Sequence, residues 1–434
     1  MVVDVRAEAD PAVPGTVVFT HARRNWLAHA IEGGLFSGSL VLVDTQTIMP
    51  AAVHQLGGPA WLVAIVPVMM MIGLTIPGVL TAHYVGTLGR FHPLLMRTGL
   101  PLRLPYLFAG LALLFAGDHP AICVAAIAIT PLLSGIGNGF SATAWPQLVA
   151  RTVPAERHAS MLATRFIVSS ALGVLAGFAV TAILNAHPGP AGFGWLSICA
   201  FLGLMCSLAI FAAIREPLDP QPIEPQTSLF TNVRRMPGLL ATDRRLRVYL
   251  ISTAMFAAAG MTVPFLGIHA QEATGQGADL LGRLVSCQMI GSVVGGLVAG
   301  WIGDRYGGKP AMMASRVGYI IVFAMAPFMN DAVAWSLLFV IFGAASTAGV
   351  IGTGAMQIAM LPGRGRANRL AMMACVMMPI ALASSLAGAW LWHVGGQSGF
   401  AWLAAVSVMM SGASLLALRS LPVHVPENGG MKRN

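Results

Sequence analysis

Four ionisable side chains, Glu32, Asp44, Arg165 and Arg283, fall inside strongly apolar stretches of this 434-residue chain. Placing a charge there costs a few kcal/mol, which makes each a functional candidate by default. At about 1.5 Å per residue, Glu32 lies roughly 9 Å along a helix beyond Trp26 and Asp44 roughly 27 Å beyond it. Glu32 is therefore expected in the first half of a membrane crossing and Asp44 near its far end. Either carboxyl can bind a cation or carry a proton; the plain alternatives are a structural salt bridge for Glu32 and solvation at a helix end for Asp44. Arg165 and Arg283 suit an anionic solute, because a guanidinium meets a carboxylate or phosphate with two hydrogen bonds, or else they snorkel to the nearest interface. Gln288, deeper in the stretch that holds Arg283, is a hydrogen-bonding neighbour. Asn138 and Trp145, seven residues apart, share a helix face and offer an amide and an aromatic wall to a ligand, or simply pack between helices.

The chain carries no constellation of an enzyme. Its eleven histidines are scattered without metal-ligand spacing, and its five cysteines fall singly inside apolar runs, where cysteine behaves as a small hydrophobe. There is no glycine-rich loop ending in Lys-Ser/Thr, so an ATP-driven pump is not expected. Methionine is abundant, including Met69-Met70-Met71, and in apolar helices it is usually packing. No metal, cofactor or catalytic activity is expected.

The elements that position these residues follow from composition. A soluble domain is about 25% charged, whereas this chain is 9% charged and 56% hydrophobic. Apolar runs of the roughly 20 residues that a bilayer core requires recur about twelve times. Of the 25 Lys+Arg, all but Arg283 fall in alternate gaps between these runs or at the ends of the chain. Positive loops are retained in the cytoplasm, so an even number of crossings with both termini cytoplasmic is expected. The net charge of +9 is thereby accounted for by topology; anionic lipid headgroups are the expected neighbours, and nucleic acid is not an expected partner. The first 25 residues lack the apolar core of a cleaved signal peptide.

These signals predict an all-α integral membrane protein with a cytoplasmic tail (1–25), an N-terminal six-helix half (26–214), a proline-rich and basic central loop (215–247), a C-terminal six-helix half (248–418) and a second tail (419–434). The third and ninth crossings are expected at Leu102–Ala116 and Met312–Met329, with Arg103 and Arg316 counted among the loop charges. A shift of 217 residues aligns Gly78 with Gly295 and Pro93 with Pro310; a shift of 208 aligns Gly135 with Gly343 and Pro154 with Pro362. Two parallel six-helix repeats are an arrangement that recurs in secondary transporters.

After the eighth run the chain reads Gly300-Trp-Ile-Gly-Asp304-Arg305-Tyr-Gly307-Gly308-Lys309-Pro310. This resembles the cytoplasmic loop motif of the major facilitator superfamily, and with the span count and central loop the resemblance covers Trp26 to Leu418. It implies a gate at Gly300, Asp304, Arg305, Gly307 and Lys309, in which Asp304 caps a helix or pairs with an arginine across the closed inner gate. The corresponding loop of the first half, from His83 to Pro93, lacks the Asp-Arg pair. The fourth run has Pro131 where many proton-driven relatives carry arginine, and the fifth lacks the Gly-Pro pair of drug/proton antiporters. The resemblance further implies that the first, fourth, seventh and tenth helices line a central cavity, which adds Gln46 and Gln357 to the candidates. The expectation is a monomeric secondary transporter of the bacterial inner membrane, of predicted-permease type, which moves a small solute by alternating access and is coupled to protons if Glu32 or Asp44 titrates. The alternatives are a drug or amphiphile exporter and a membrane receptor that transports nothing.

Overall fold

Every regular element among the described residues, 21–85, 88–217, 243–360 and 366–421, is helical in the computed structural model. Twelve helical stretches are long and apolar enough to cross a membrane. In chain order the first six are Ala22–Gln55, Ala60–Gly78, His92–Phe115, Pro120–Ala142, Ser160–Ala186 and Pro190–Phe211. The last six are Arg244–Thr274, Ala278–Tyr306, Gly308–Phe328, Ala332–Gln357, Met373–Gly395 and Gly399–Arg419. Most of the central loop (218–242) and the two tails lie outside the described residues, except for their ends nearest the spans.

Local chemistry sets several boundaries. Proline opens the third, fourth and sixth spans in the first turn, where its missing N–H has no helical partner to lose. The first span is not one straight helix: Ala22–Leu40 passes through a tight turn at Val41–Val43 and resumes at Ile48–Gln55. The seventh repeats this pattern, with Arg244–Ala259, a turn at Gly260–Thr262, then Val263–Thr274.

The third span departs from expectation. It begins at His92, ten residues before the expected start, and so takes Arg97 and Arg103 out of the loop. Similarly the ninth begins at Gly308 and encloses both Lys309 and Arg316. Arg103 is 4% exposed and Arg316 1%, so neither is a loop charge. A count of apolar runs ends each span at its charged residues, but a guanidinium can enter a span when neighbouring helices supply its acceptors.

Small residues let the helices approach in the absence of a hydrophobic drive between them. A side chain at Gly135 would run into the backbone of Met70 and Gly73 on the second span, and one at Gly343 into the backbone of Gln288 and Ser292 on the eighth. The two glycines aligned by sequence thus occupy equivalent crossings, second on fourth and eighth on tenth. Between the halves, the fifth span packs against the eighth and the second against the eleventh. Gly177 and Gly282 face one another at the first of these contacts, each against the other's carbonyl oxygen.

Hydrogen bonds that join the two halves gather toward the ends remote from the basic loops. Thr47 Oγ1 donates to Gln288 Oε1 (3.3 Å), Gln55 Nε2 to Gln271 Oε1 (3.3 Å), Asn185 Nδ2 to Asp279 Oδ1 (2.6 Å) and Ser286 Oγ to the Val174 carbonyl (3.0 Å). His54 and Glu272 lie 3.3 Å apart at the same end.

Candidate functional site

A pocket of about 210 Å³ opens within the first half, walled by Glu32, Arg103, Asn138, Trp145 and Arg165 together with apolar side chains such as Phe36 and Phe211. Five elements meet there: the first, third, fifth and sixth spans and the fourth with its continuation, Ala144–Thr152. Glu32 is 5% exposed. Its Oε1 accepts from Ser207 Oγ at 3.2 Å, and Ser207 Oγ in turn accepts from Arg103 Nη2 at 3.2 Å. Its Oε2 lies 3.6 Å from Arg165 Nη1, an ion pair in which neither atom makes a hydrogen bond.

The two arginines are held differently. Arg103 donates Nε to the Leu204 carbonyl (2.8 Å) and Nη1 to the Gly99 carbonyl (2.7 Å), with its guanidinium carbon 5.4 Å from the centre of the Phe36 ring. Arg165 lies over the Trp145 ring at 4.9 Å, a cation–π contact. Gly33 makes room for it, since a Cβ at that position would overlap the guanidinium. One carboxylate thus sits between two guanidiniums, and the group with the fewest hydrogen bonds, Arg165, faces the pocket.

Of the residues expected from sequence, Glu32, Asn138, Trp145 and Arg165 come together in this pocket, and the remaining ones do not. The Asp44 carboxylate accepts the backbone N–H groups of Gln46 (3.0 Å) and Thr47 (2.8 Å), holding the break that precedes Ile48–Gln55. Its work is that of a cap, and neither it nor the half-buried Gln46 lines the pocket. Gln288 is buried and accepts Thr47 across the halves. Arg283 is exposed and donates to Gln276 at 3.1 Å, as a snorkelling arginine does. Arg103, Ser207 and His29 were missed. His29 is buried, with Nε2 3.0 Å from Thr152 Oγ1 and its ring edge toward Trp145 and Phe211. Arg103 had one usable signal: it lies between Pro101 and Pro105 in an otherwise apolar run.

The loop motif is an open structure. Gly307, at φ +81°, ends the eighth span in a conformation that favours glycine. Gly300 lies one turn before Asp304 with open space around its Cα. Asp304 is exposed and makes no ion pair among the described residues, while Arg305 lies near the rings of Trp301 and Tyr306. Lys309 is buried and donates to the carbonyls of Arg419 (3.2 Å) and Leu421 at the end of the twelfth span. The expected pairing of Asp304 across a closed gate is therefore not formed in this conformation.

A second pocket, of about 520 Å³, lies in the second half between the seventh, ninth and tenth spans, and Gln357 lines it with Arg316, Tyr319 and Phe256.

Twelve helical spans in two similar sets of six, each set enclosing a polar pocket around a buried arginine, define a polytopic membrane protein of transporter architecture. The description of the Major Facilitator Superfamily matches residues 248–433, a stretch that contains the Gly300–Lys309 motif. Among solved structures, the nucleoside transporter NupG superposes with a TM-score of 0.69 at 14% identity, over 90% of this chain and 99% of that one. The xylose transporter XylE from E. coli superposes with 0.65 at 14% identity, over 95% and 99%. The multi-drug resistance efflux pump PmrA of Streptococcus pneumoniae is 28% identical over 246 residues, 54% of this chain and 57% of that protein. The chain thus spans a little over half the length of the curated relatives it matches. It belongs to the major facilitator superfamily.

Proposed function

We propose that the chain is a secondary transporter that moves a small solute by alternating access, with Glu32 as its proton-coupling group. The observation that carries this reading is the buried carboxylate shared between Arg103 and Arg165 at the wall of a pocket. When Glu32 is ionised it holds Arg165 across the pocket; when it takes a proton the attraction falls, and Arg165 is released toward a solute or a new helix position. Asp44, bound to two backbone N–H groups, has no comparable freedom.

With the basic loops in the cytoplasm, both termini lie inside, and the contacts at Thr47–Gln288 and Gln55–Gln271 close the outer ends. The exposed Asp304 and Arg305 then belong to an inner gate that stands open. A monomer in the bacterial inner membrane fits this reading.

Reconstitution into proteoliposomes with an imposed pH gradient tests it. Glu32→Gln is expected to lose gradient-driven accumulation but retain solute exchange at equal pH, and Asp44→Asn to retain both. Accumulation by Glu32→Gln at the wild-type level would remove Glu32 from the mechanism. Export of an amphiphile is the second reading, favoured by the aromatic wall of Phe36, Trp145 and Phe211 and by similarity to an efflux pump; dye extrusion from loaded vesicles distinguishes the two.

A further inference from the structure

The second pocket is built on the same plan as the first, with one group missing. The offset that carries the turn at Val41 onto the turn at Gly260 also carries Glu32 onto Ser252 and Phe36 onto Phe256. The 208-residue shift carries Asn138 onto Ser346 and Trp145 onto Thr353. In space these counterparts reassemble. Arg316, on the ninth span, packs its guanidinium 3.5 Å from the centre of the Phe256 ring and donates Nε to Ser414 Oγ at 3.3 Å. Ser414 on the twelfth span bonds Ser252 at 2.9 Å. Arg316, Phe256, Ser414 and Ser252 thus stand as Arg103, Phe36, Ser207 and Glu32 stand in the first half.

The difference is charge. Arg103 has two backbone carbonyls, a serine and, through that serine, a carboxylate. Arg316 has the single bond to Ser414. Each described acidic residue after 242 is placed elsewhere. Asp243 caps the seventh span, Asp331 caps the tenth, Glu272 meets His54, Asp279 meets Asn185 and Asp304 is exposed. Among the described residues no carboxylate lines the pocket. A buried guanidinium beside about 520 Å³ of space needs a counter-charge, and this half supplies none. Ser315 Oγ and Tyr249 Oη are also buried without a hydrogen bond in this region.

We propose that the Arg316 pocket binds an organic monocarboxylate, whose carboxylate occupies the place that Glu32 fills in the first half and whose apolar body lies against Phe256, Tyr319 and Val350. The guanidinium fork meets a carboxylate with two hydrogen bonds. One cation without a second nearby balances one negative charge, which selects a carboxylate over a phosphate dianion. This assignment rests on the transport reading for its role in the cycle, but binding at Arg316 is measured without a membrane or a gradient.

The test is calorimetric titration of the purified full chain in detergent with benzoate, benzamide, benzylamine and phenyl phosphate. Benzoate is expected to bind at least tenfold more tightly than the other three. Arg316→Gln should abolish that binding and Arg316→Lys weaken it about tenfold. Ser252→Glu is the decisive variant, because it restores the missing counter-ion: it should raise the thermal midpoint of the free protein and eliminate benzoate binding. Equal binding of benzoate and benzamide, tighter binding of phenyl phosphate, or undiminished benzoate binding by a folded Ser252→Glu protein would each overturn the proposal. Benzoate binding that follows this pattern in a protein inert in proteoliposomes would retain the site and refute transport; transport without benzoate binding would do the reverse.

Discussion

Glu32, Arg103 and Arg165 make a charge count that is unbalanced by one, and stability should register it. Arg165→Gln leaves Glu32 with Arg103 through Ser207, so the loss is that of an interaction with a charged group, about 1.5–3 kcal/mol. Glu32→Gln leaves two guanidiniums facing each other in a buried site, and breaking a buried pair in this way costs about 3–5 kcal/mol. Unfolding midpoints in detergent should therefore fall further for Glu32→Gln, and the double variant should recover part of the loss, since the two effects share one network. The opposite order would show that Arg165 is satisfied by Trp145 alone. Glu32 and Arg165 were legible in sequence because each interrupts an apolar run well inside its ends. Arg103 and Arg316 were not, because an arginine near the start of a span has the same local pattern as a topogenic loop charge. What separates them is acceptors on other helices, Leu204 and Ser207 for Arg103 and Ser414 for Arg316, and these lie about a hundred residues away in the chain.

At the scale of elements, the number of spans and their pairing into repeats were readable because hydropathy and glycine spacing are local. Gly135 and Gly343, aligned by sequence, prove to occupy equivalent helix crossings. Span ends were less readable: the third begins ten residues before its apolar run, since Pro93, Arg97 and Pro101 depress hydropathy without stopping a helix whose first turn accepts proline. The break in the first span after Val43 was also hidden, as its cause is a backbone turn fixed by Asp44. The fifth and eighth spans depend on close approach at Gly177 and Gly282. Gly282→Val is expected to push them apart, at the overpacking cost of about 1–3 kcal/mol, and to loosen the outer closure. A cysteine in place of Gln288 should then react faster with an impermeant thiol reagent added outside; an unchanged rate would mean that this crossing does not hold the outer end shut.

The whole molecule combines repeated architecture with unequal charge. Its first half carries a carboxylate as internal counter-ion, while its second half presents a guanidinium with none, so the two pockets respond to different partners: a proton in one, an anion in the other. For both to serve one cycle the halves must rock, and the contacts at Thr47–Gln288, Gln55–Gln271 and Asn185–Asp279 must break each time the outer side opens. Tying the outer ends is therefore expected to arrest the cycle in the conformation described. Cysteines in place of Gln55 and Gln271, in a background with the five native cysteines replaced by alanine, should cross-link with a short bifunctional thiol reagent that is cleaved by reductant. Transport should fall to the level of empty vesicles and return when the link is cut, while a single-cysteine control is unaffected. Labelling supplies the second half of the test. In the cross-linked protein a cysteine at Asn138, which lines the first pocket, should stay reactive from the side of the basic loops and become unreactive from the other. Transport that survives the link would mean that solute crosses without separation of these ends, and rocking of the two halves would have to be abandoned.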